Sequence, residues 1–187
     1  MGDNVYPYVG SDYINLISGT HDDNQVKCLG LSRVDHVSLV IDTFDAADAW
    51  QQWLVVRSQN AIALWHMDTG SKLVCAQDGT LSLRFGPGGP ANVDEYAEDE
   101  LWNMVAVSPP SHGIWDWVKA TFTDLLVDMT RYYENGFAVR PLFDDNRNLN
   151  VLGNGPYPAN SIVAAWDGWG GGDANEVWLP RLVAGQQ

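Results

Sequence analysis

The sequence predicts an all-β protein of three pseudo-equivalent repeats, with one helix inserted between repeats two and three. Three observations predict it. Trp53, Trp102 and Trp178 each follow a Gln or Glu placed two positions earlier, and each leads into an apolar stretch: LVV, NMVAV or LPRLV. Upstream of each stands a β-rich run ending on a large apolar residue, in VSLVI, LSLRF and SIVAAW. Ile41 lies twelve positions before Trp53 and Trp166 twelve before Trp178, whereas Phe85 lies seventeen before Trp102, the surplus being held in GPGGPANVD. Self-similarity at roughly 40 to 50 residues is the signature of a repeat architecture, in which no single unit can bury its apolar face alone.

The first repeat, residues 6–57, opens with the strand pattern YINLIS. It turns at HDDNQ, resumes at KCLGL and, after SRVDH, continues in VSLVID before DTFDAADAWQQW closes it. The second, residues 60–107, keeps that order: AIALWHM, a DTGS turn, KLVCA, a QDG turn, LSLRF, an expanded Gly- and Pro-rich loop, then LWNMVAV. The third, residues 136–183, runs through FAVRPLF, a DDNR turn and NLNV to SIVAAW, a Gly-rich loop and EVW.

Between repeats two and three, residues 108–135 carry Ile114, Val118, Phe122, Leu125, Met129 and Tyr132 at three- to four-residue intervals, which predicts an amphipathic helix. Pro109-Pro110 stops the preceding strand, Ser111 can cap the helix and Asn135-Gly136 ends it. Trp102 and Trp178 are 76 residues apart, against 49 for Trp53 and Trp102, and removing the insert leaves 48. The apolar helix face must be covered, by its own barrel or by a homo-oligomeric or other protein partner.

Composition narrows the function. A chain of 187 residues suits one domain spanning 1–187, and nine Trp with 45% hydrophobic residues exclude disorder. A formal charge of −14 excludes a nucleic-acid or anionic-membrane partner, both of which need cationic surface. Neither a basic, apolar leader nor a membrane-length apolar run is visible, so a cytoplasmic protein without membrane insertion is the expectation. Cys28 and Cys75 are expected as buried small apolar residues, with no metal or cofactor. Asp94, Glu95, Glu98, Asp99 and Glu100 match no calcium-loop spacing and read as a solvated acidic rim. No nucleophile elbow, phosphate loop, paired histidines or CxxC is present, and a non-enzymatic protein is expected.

Gln51-Gln52-Trp53 matches in full, and Glu100-Leu101-Trp102 and Glu176-Val177-Trp178 in part, the Gln-x-Trp signature that closes each repeat of the ricin-type β-trefoil lectins, which the chain resembles over nearly its whole length outside the insert. The resemblance implies a β-trefoil acting as a carbohydrate-binding, lectin-like module for glycans or glycoconjugates, with galactose-type sugars. The alternative is a trefoil scaffold that binds proteins, or inhibits a protease, through its loops.

A sugar site needs a flat apolar face for one side of a pyranose and a few fixed polar groups for its hydroxyls. Repeat three offers Trp166 as the platform, Asn150 and Asn175 as flanking amides, and Asp167, Gly168 and Trp169 as a lip. By resemblance, the family's Asp, aromatic, Asn and Gln positions fall on Asn150, Trp166, Asn175 and Glu176. Asn in place of Asp at 150 weakens the galactose expectation, because a charge-assisted hydrogen bond is given up. Repeat one carries Gly30 and Ile41 at the Asp and platform positions and repeat two carries Val74 and Phe85, so both sites are expected to be degenerate.

Overall fold

A computed structural model describes residues 12–20, 25–58, 61–86, 96–107, 136–168 and 173–183. The β-rich runs of the first repeat form β1 (Asp12–Ser18), β2 (Lys27–Leu31), β3 (Leu39–Thr43) and β4 (Trp53–Ser58). Those of the second form β5 (Ala61–His66), β6 (Ser71–Cys75), β7 (Leu81–Phe85) and β8 (Trp102–Val107). The third supplies β9 (Gly136–Pro141), β10 (Arg147–Val151), β11 (Ser161–Asp167) and β12 (Trp178–Leu182). A 3₁₀ turn precedes each closing strand, at Ala49–Gln51, Glu98–Glu100 and Ala174–Glu176. The predicted helix over 108–135 lies outside the described residues, as does any packing of its apolar face.

The first and last strands of the repeats close a six-stranded antiparallel barrel. β1 pairs with β4 and β12, β5 with β4 and β8, and β9 with β8 and β12. The inner strands of each repeat form the hairpins β2–β3, β6–β7 and β10–β11. A six-stranded barrel with three hairpins is the β-trefoil fold, and closing the ring leaves none of the six barrel strands with a bare edge.

The register repeats with the same three-fold logic. Trp53, Trp102 and Trp178 stand opposite Ile14, Ile62 and Phe137 in the first strand of their own repeat. Opposite them in the next repeat stand His66, Pro141 and Ser18, each four residues beyond Ile62, Phe137 and Ile14 respectively. All three indoles are 0% exposed. Each Nε1–H donates to the carbonyl of the middle residue of its repeat's second strand: Leu29 at 3.2 Å, Leu73 at 3.1 Å and Leu149 at 2.9 Å. Burying one indole contributes roughly 5 kcal/mol at about 25 cal/mol per Å². The bond also satisfies a carbonyl that water cannot reach.

The same residues explain why the barrel strands are apolar on both faces. In β4, Trp53 and Val55 join the central core with Leu64, Met104 and Val139, whereas Leu54 and Val56 pack outward with Ala63 and Trp65. Hairpins two and three each lean on the next. The Gly79 carbonyl at the tip of β6–β7 accepts from Ala165 N at 3.3 Å, and Asn160 N in the β10–β11 connection donates to Ile41 O at 2.7 Å. Gly79 has φ +88°, and a Cβ there would collide with the Ala165 carbonyl, so both backbone conformation and space demand glycine.

Cys28 and Cys75 are free and buried, and burial pushes both thiols up, Cys75 to about 11. Glu100 is not on a solvated rim: it is 3% exposed and meets Lys72 Nζ at 2.6 Å and Arg84 Nη1 at 3.0 Å. Asp99 pairs with Arg84, while Asp94 and Glu95 lie outside the described residues.

Trp102→Phe removes the donor to the Leu73 carbonyl while keeping most of the ring. It should lower unfolding free energy by about 1–3 kcal/mol, seen as a urea midpoint shift at constant slope; an unchanged midpoint would mean that the indole hydrogen bond carries no net stabilisation.

Candidate functional site

The hairpins carry the position of the candidate site in repeat three. In each hairpin, the leucine that receives the closing indole pairs across with Ile41, Leu83 or Ala165. The next cross-strand pair in that direction is Cys28–Asp42 in repeat one, Lys72–Arg84 in repeat two and Asn148–Trp166 in repeat three. The register thus sets Trp166 equivalent to Asp42 and Arg84, correcting the expected equivalence with Ile41 and Phe85. Counting back from the closing Trp misses by one because the β3–β4 connection is one residue shorter than the β11–β12 connection. Ile41 is instead a core residue, 0% exposed.

Trp166 is 54% exposed, at the rim of a pocket of about 320 Å³. Asn150, Asn175 and Glu176 line its polar side, and Leu152, Gly153, Asn154 and Gly168 complete it. Strand alternation explains the split within β11: Val163 and Ala165 turn to the core, while Ile162 and Trp166 turn out. Gly168 has φ +103° and bends the chain away immediately after β11.

The polar side is a hydrogen-bonded set of side chains. Asn175 Nδ2 donates to Asn150 Oδ1 at 2.8 Å and to the Val151 carbonyl at 3.1 Å. Asn150 Nδ2 donates to Glu176 Oε1 at 3.2 Å, and Asn148 Nδ2 donates to the Glu176 carbonyl at 3.3 Å. Asn150 is 5% and Glu176 4% exposed. The two asparagines expected to flank a ligand from opposite sides therefore bond to each other. Where the resemblance implies Asp and Gln, this chain carries Asn150 and Glu176, and the two bond to each other.

Of the remaining predicted site residues, Asp167 turns its side chain to the other face of β11, where its carboxylate is 4.0 Å from Arg147 Nη2. It does not line the pocket. Trp169 lies outside the described residues. The pocket also contains residues that the sequence reading left out: Leu152, Gly153 and Asn154, from the LGNGP stretch after β10. Its Gly- and Asn-rich turn composition and its place directly after Asn150 were the available signal.

Repeats one and two close the corresponding places, the first with backbone and the second with side chains. In repeat one, a Cβ on Gly30 would come within 2.8 Å of the Trp50 carbonyl, so the backbone itself closes over the position. The Trp50 indole packs edge-on against His36 at 4.9 Å and lies 5.3 Å from the Arg33 guanidinium. In repeat two, Arg84 stands at the Trp166 position and forks onto Asp99 at 2.7 Å and Glu100 at 3.0 Å. Phe85, the expected platform there, is 71% exposed but opposite Ser71, at the place of Asp167.

His66 illustrates how firmly repeat one is closed. Its Nε2 is 3.1 Å from the Trp50 carbonyl, so that nitrogen carries the proton, and Nδ1 is left to accept from Thr69. Burial holds its pKa below the ordinary histidine value.

No family model matches the sequence, and neither does any curated protein. Solved structures do resemble it. A ricin B-like lectin from Macrolepiota procera, solved with lactose, superposes with a TM-score of 0.58 at 18% identity, over 92% of this chain and 96% of that one. A designed three-fold symmetric protein, ThreeFoil, gives 0.56 at 16% identity, over 91% and 97%. A Polyporus squamosus lectin bound to the epitope Neu5Acα2-6Galβ1-4GlcNAc gives 0.55 at 14% identity, over 94% of this chain and 50% of that one. At such identities the likeness establishes the β-trefoil fold.

Two outcomes test this geometry. A histidine with a depressed folded pKa stabilises the fold above its unfolded value near 6.5 and loses that contribution as pH falls below it. His66→Gln should therefore flatten the stability profile between about pH 7 and 5; an equally steep profile would assign the acid sensitivity to other groups. Asn150→Asp places a second carboxylate beside Glu176 Oε1, which raises the pair's apparent pKa. Its stability loss at pH 7 should shrink on acidification, as thermal melts across pH would show, and Glu176→Gln in the same chain should remove the penalty.

Proposed function

We propose that this chain is a carbohydrate-binding, lectin-like module that holds a neutral sugar of the galactose type in the repeat-three pocket. The observation that carries this reading is Trp166, a half-exposed indole at the rim of a concave pocket whose polar side is already fixed by internal hydrogen bonds. A large aromatic face left to solvent stabilises the fold little, and beside fixed amide and carboxylate groups it suits the apolar face of a pyranose. The pocket side chains need little ordering on binding, which preserves affinity. Support comes also from two structural neighbours whose solved complexes hold lactose and a sialylated galactose-containing trisaccharide.

The binding is stoichiometric at one sugar per chain, since the Trp50 backbone closes over Gly30 in repeat one and the Arg84 ion pairs occupy the corresponding place in repeat two. One stacking face and a few polar contacts give roughly millimolar affinity, near −4 kcal/mol. Useful strength on a glycan surface then comes from several chains or several glycans acting together.

Titration with lactose, followed by the indole resonances or by calorimetry, tests the reading. Trp166→Ala should abolish saturable binding and leave the melting temperature within about 2 °C, because a surface truncation costs at most ~0.5 kcal/mol. Undiminished binding by that variant, or two or three sugars per chain, would remove the pocket from consideration. Binding of a protein but of no saccharide would favour the loop-mediated scaffold.

A further inference from the structure

The repeat-three pocket runs along the length of its hairpin. On the outer row of β10–β11, Trp166 pairs with Asn148 and Ala164 with Asn150, and the Leu152 N–H donates to the Ile162 carbonyl at 2.9 Å, four residues from Trp166. At about 3.3 Å per residue the two ends lie roughly 13 Å apart, longer than one pyranose ring. Trp166 from one end and Leu152, Gly153 and Asn154 from the other line the same pocket. Between them the polar groups are spent on the protein: Asn150 uses its oxygen on Asn175 and its nitrogen on Glu176, and Ala164 across from it has no polar side-chain atom. The far end differs. Leu152 is 37% exposed, and Asn154 is exposed with no side-chain bond to another described residue. That end is also held in shape. Gly153 has φ +114°, its carbonyl accepts from Tyr157 Oη at 2.7 Å, and Tyr157 packs against the central core. Ser161 Oγ donates to the Pro158 carbonyl at 2.7 Å where the chain returns into β11.

We infer that Leu152 and Asn154 form a second subsite, so that the pocket takes a neutral disaccharide unit, with Trp166 under one ring and Asn154 bonded to a hydroxyl of the other. The inference rests on the proposed sugar site and adds the length of ligand that the site reads. A carboxamide carries both donors and an acceptor, so it can meet a sugar hydroxyl in either role. Leu152 beside it offers apolar surface to the C–H groups of the same ring, and covering that surface is favourable. Because Tyr157 and Ser161 already fix the loop, little ordering entropy is lost when the second ring arrives. The two ends divide the work: the indole supplies a stacking face for one ring, and the loop supplies an amide and an apolar shelf for the next.

The test compares lactose with the methyl β-glycosides of its two halves, galactose and glucose. Binding to the full chain is read from the indole resonances or by calorimetry, in the wild type, Asn154→Ala and Trp166→Ala. The expected result is that the wild type binds lactose at least about fivefold more tightly than the better of the two methyl glycosides. Asn154 is exposed, so Asn154→Ala should fold as the wild type does; it should shrink that gap by more than about twofold and leave the better methyl glycoside bound as before. A wild type that falls short of the gap, or an Asn154→Ala variant that keeps it because both ligands weaken equally or neither does, overturns the second subsite while leaving the sugar site standing. If none of the three sugars binds the wild type, or Trp166→Ala binds as well as the wild type, the sugar site itself fails and the second subsite with it.

Discussion

The whole arrangement depends on three buried indole N–H groups, each bonded to a leucine carbonyl in the second strand of its own repeat. That bond ties the last strand of a repeat to its hairpin, which links barrel to cap at three equivalent points. An indole is large enough to fill the space between barrel and hairpin and carries one donor at a fixed place on its edge. Phenylalanine would fill much of the volume and leave a carbonyl stranded; a smaller polar residue would reach the carbonyl and leave a cavity. With these anchors fixed, the register of every hairpin is fixed too, because a slip of one residue would turn its core face outward.

Rigid register leaves the outer face of each hairpin free to diverge, and the three repeats have used that freedom differently. Around the same cross-strand pair, repeat one has closed its backbone over Gly30, and repeat two has built an ion-pair network from Lys72, Arg84, Asp99 and Glu100. Repeat three has Asn148 and the exposed ring of Trp166 at the first two of those places. Each solution satisfies the buried residue two before the closing tryptophan. The third has a concave surface beside that residue.

Most of this was legible in the sequence for a physical reason: strands buried on both faces need unbroken apolar runs, and the closing tryptophans mark the end of each unit without ambiguity. Asn150, Trp166, Asn175 and Glu176, the positions that the resemblance implies, line one pocket. Two things were not legible. Loop length between the third and fourth strands varies, so counting along the chain could not identify Arg84 and Asp42 as the counterparts of Trp166; only hairpin register does. Side-chain pairing across the cap was equally invisible. Asp167 sits next to Trp166 in sequence, yet strand alternation sends it to the opposite face toward Arg147.

The pairing of Asn150 with Glu176 shows how the pocket wall is built without the Asp that the resemblance implies at position 150. What the pocket wall needs is one donor and one acceptor meeting about 3 Å apart, with the charge held where neighbouring dipoles can stabilise it. Asp with Gln meets that need, and so does Asn with Glu; the exchange moves the charge from the hairpin strand to the turn before Trp178. Two carboxylates would repel, and two amides would bond more weakly. The Asn150–Glu176 pair therefore holds the pocket wall together with a single carboxylate, placed on the turn before Trp178.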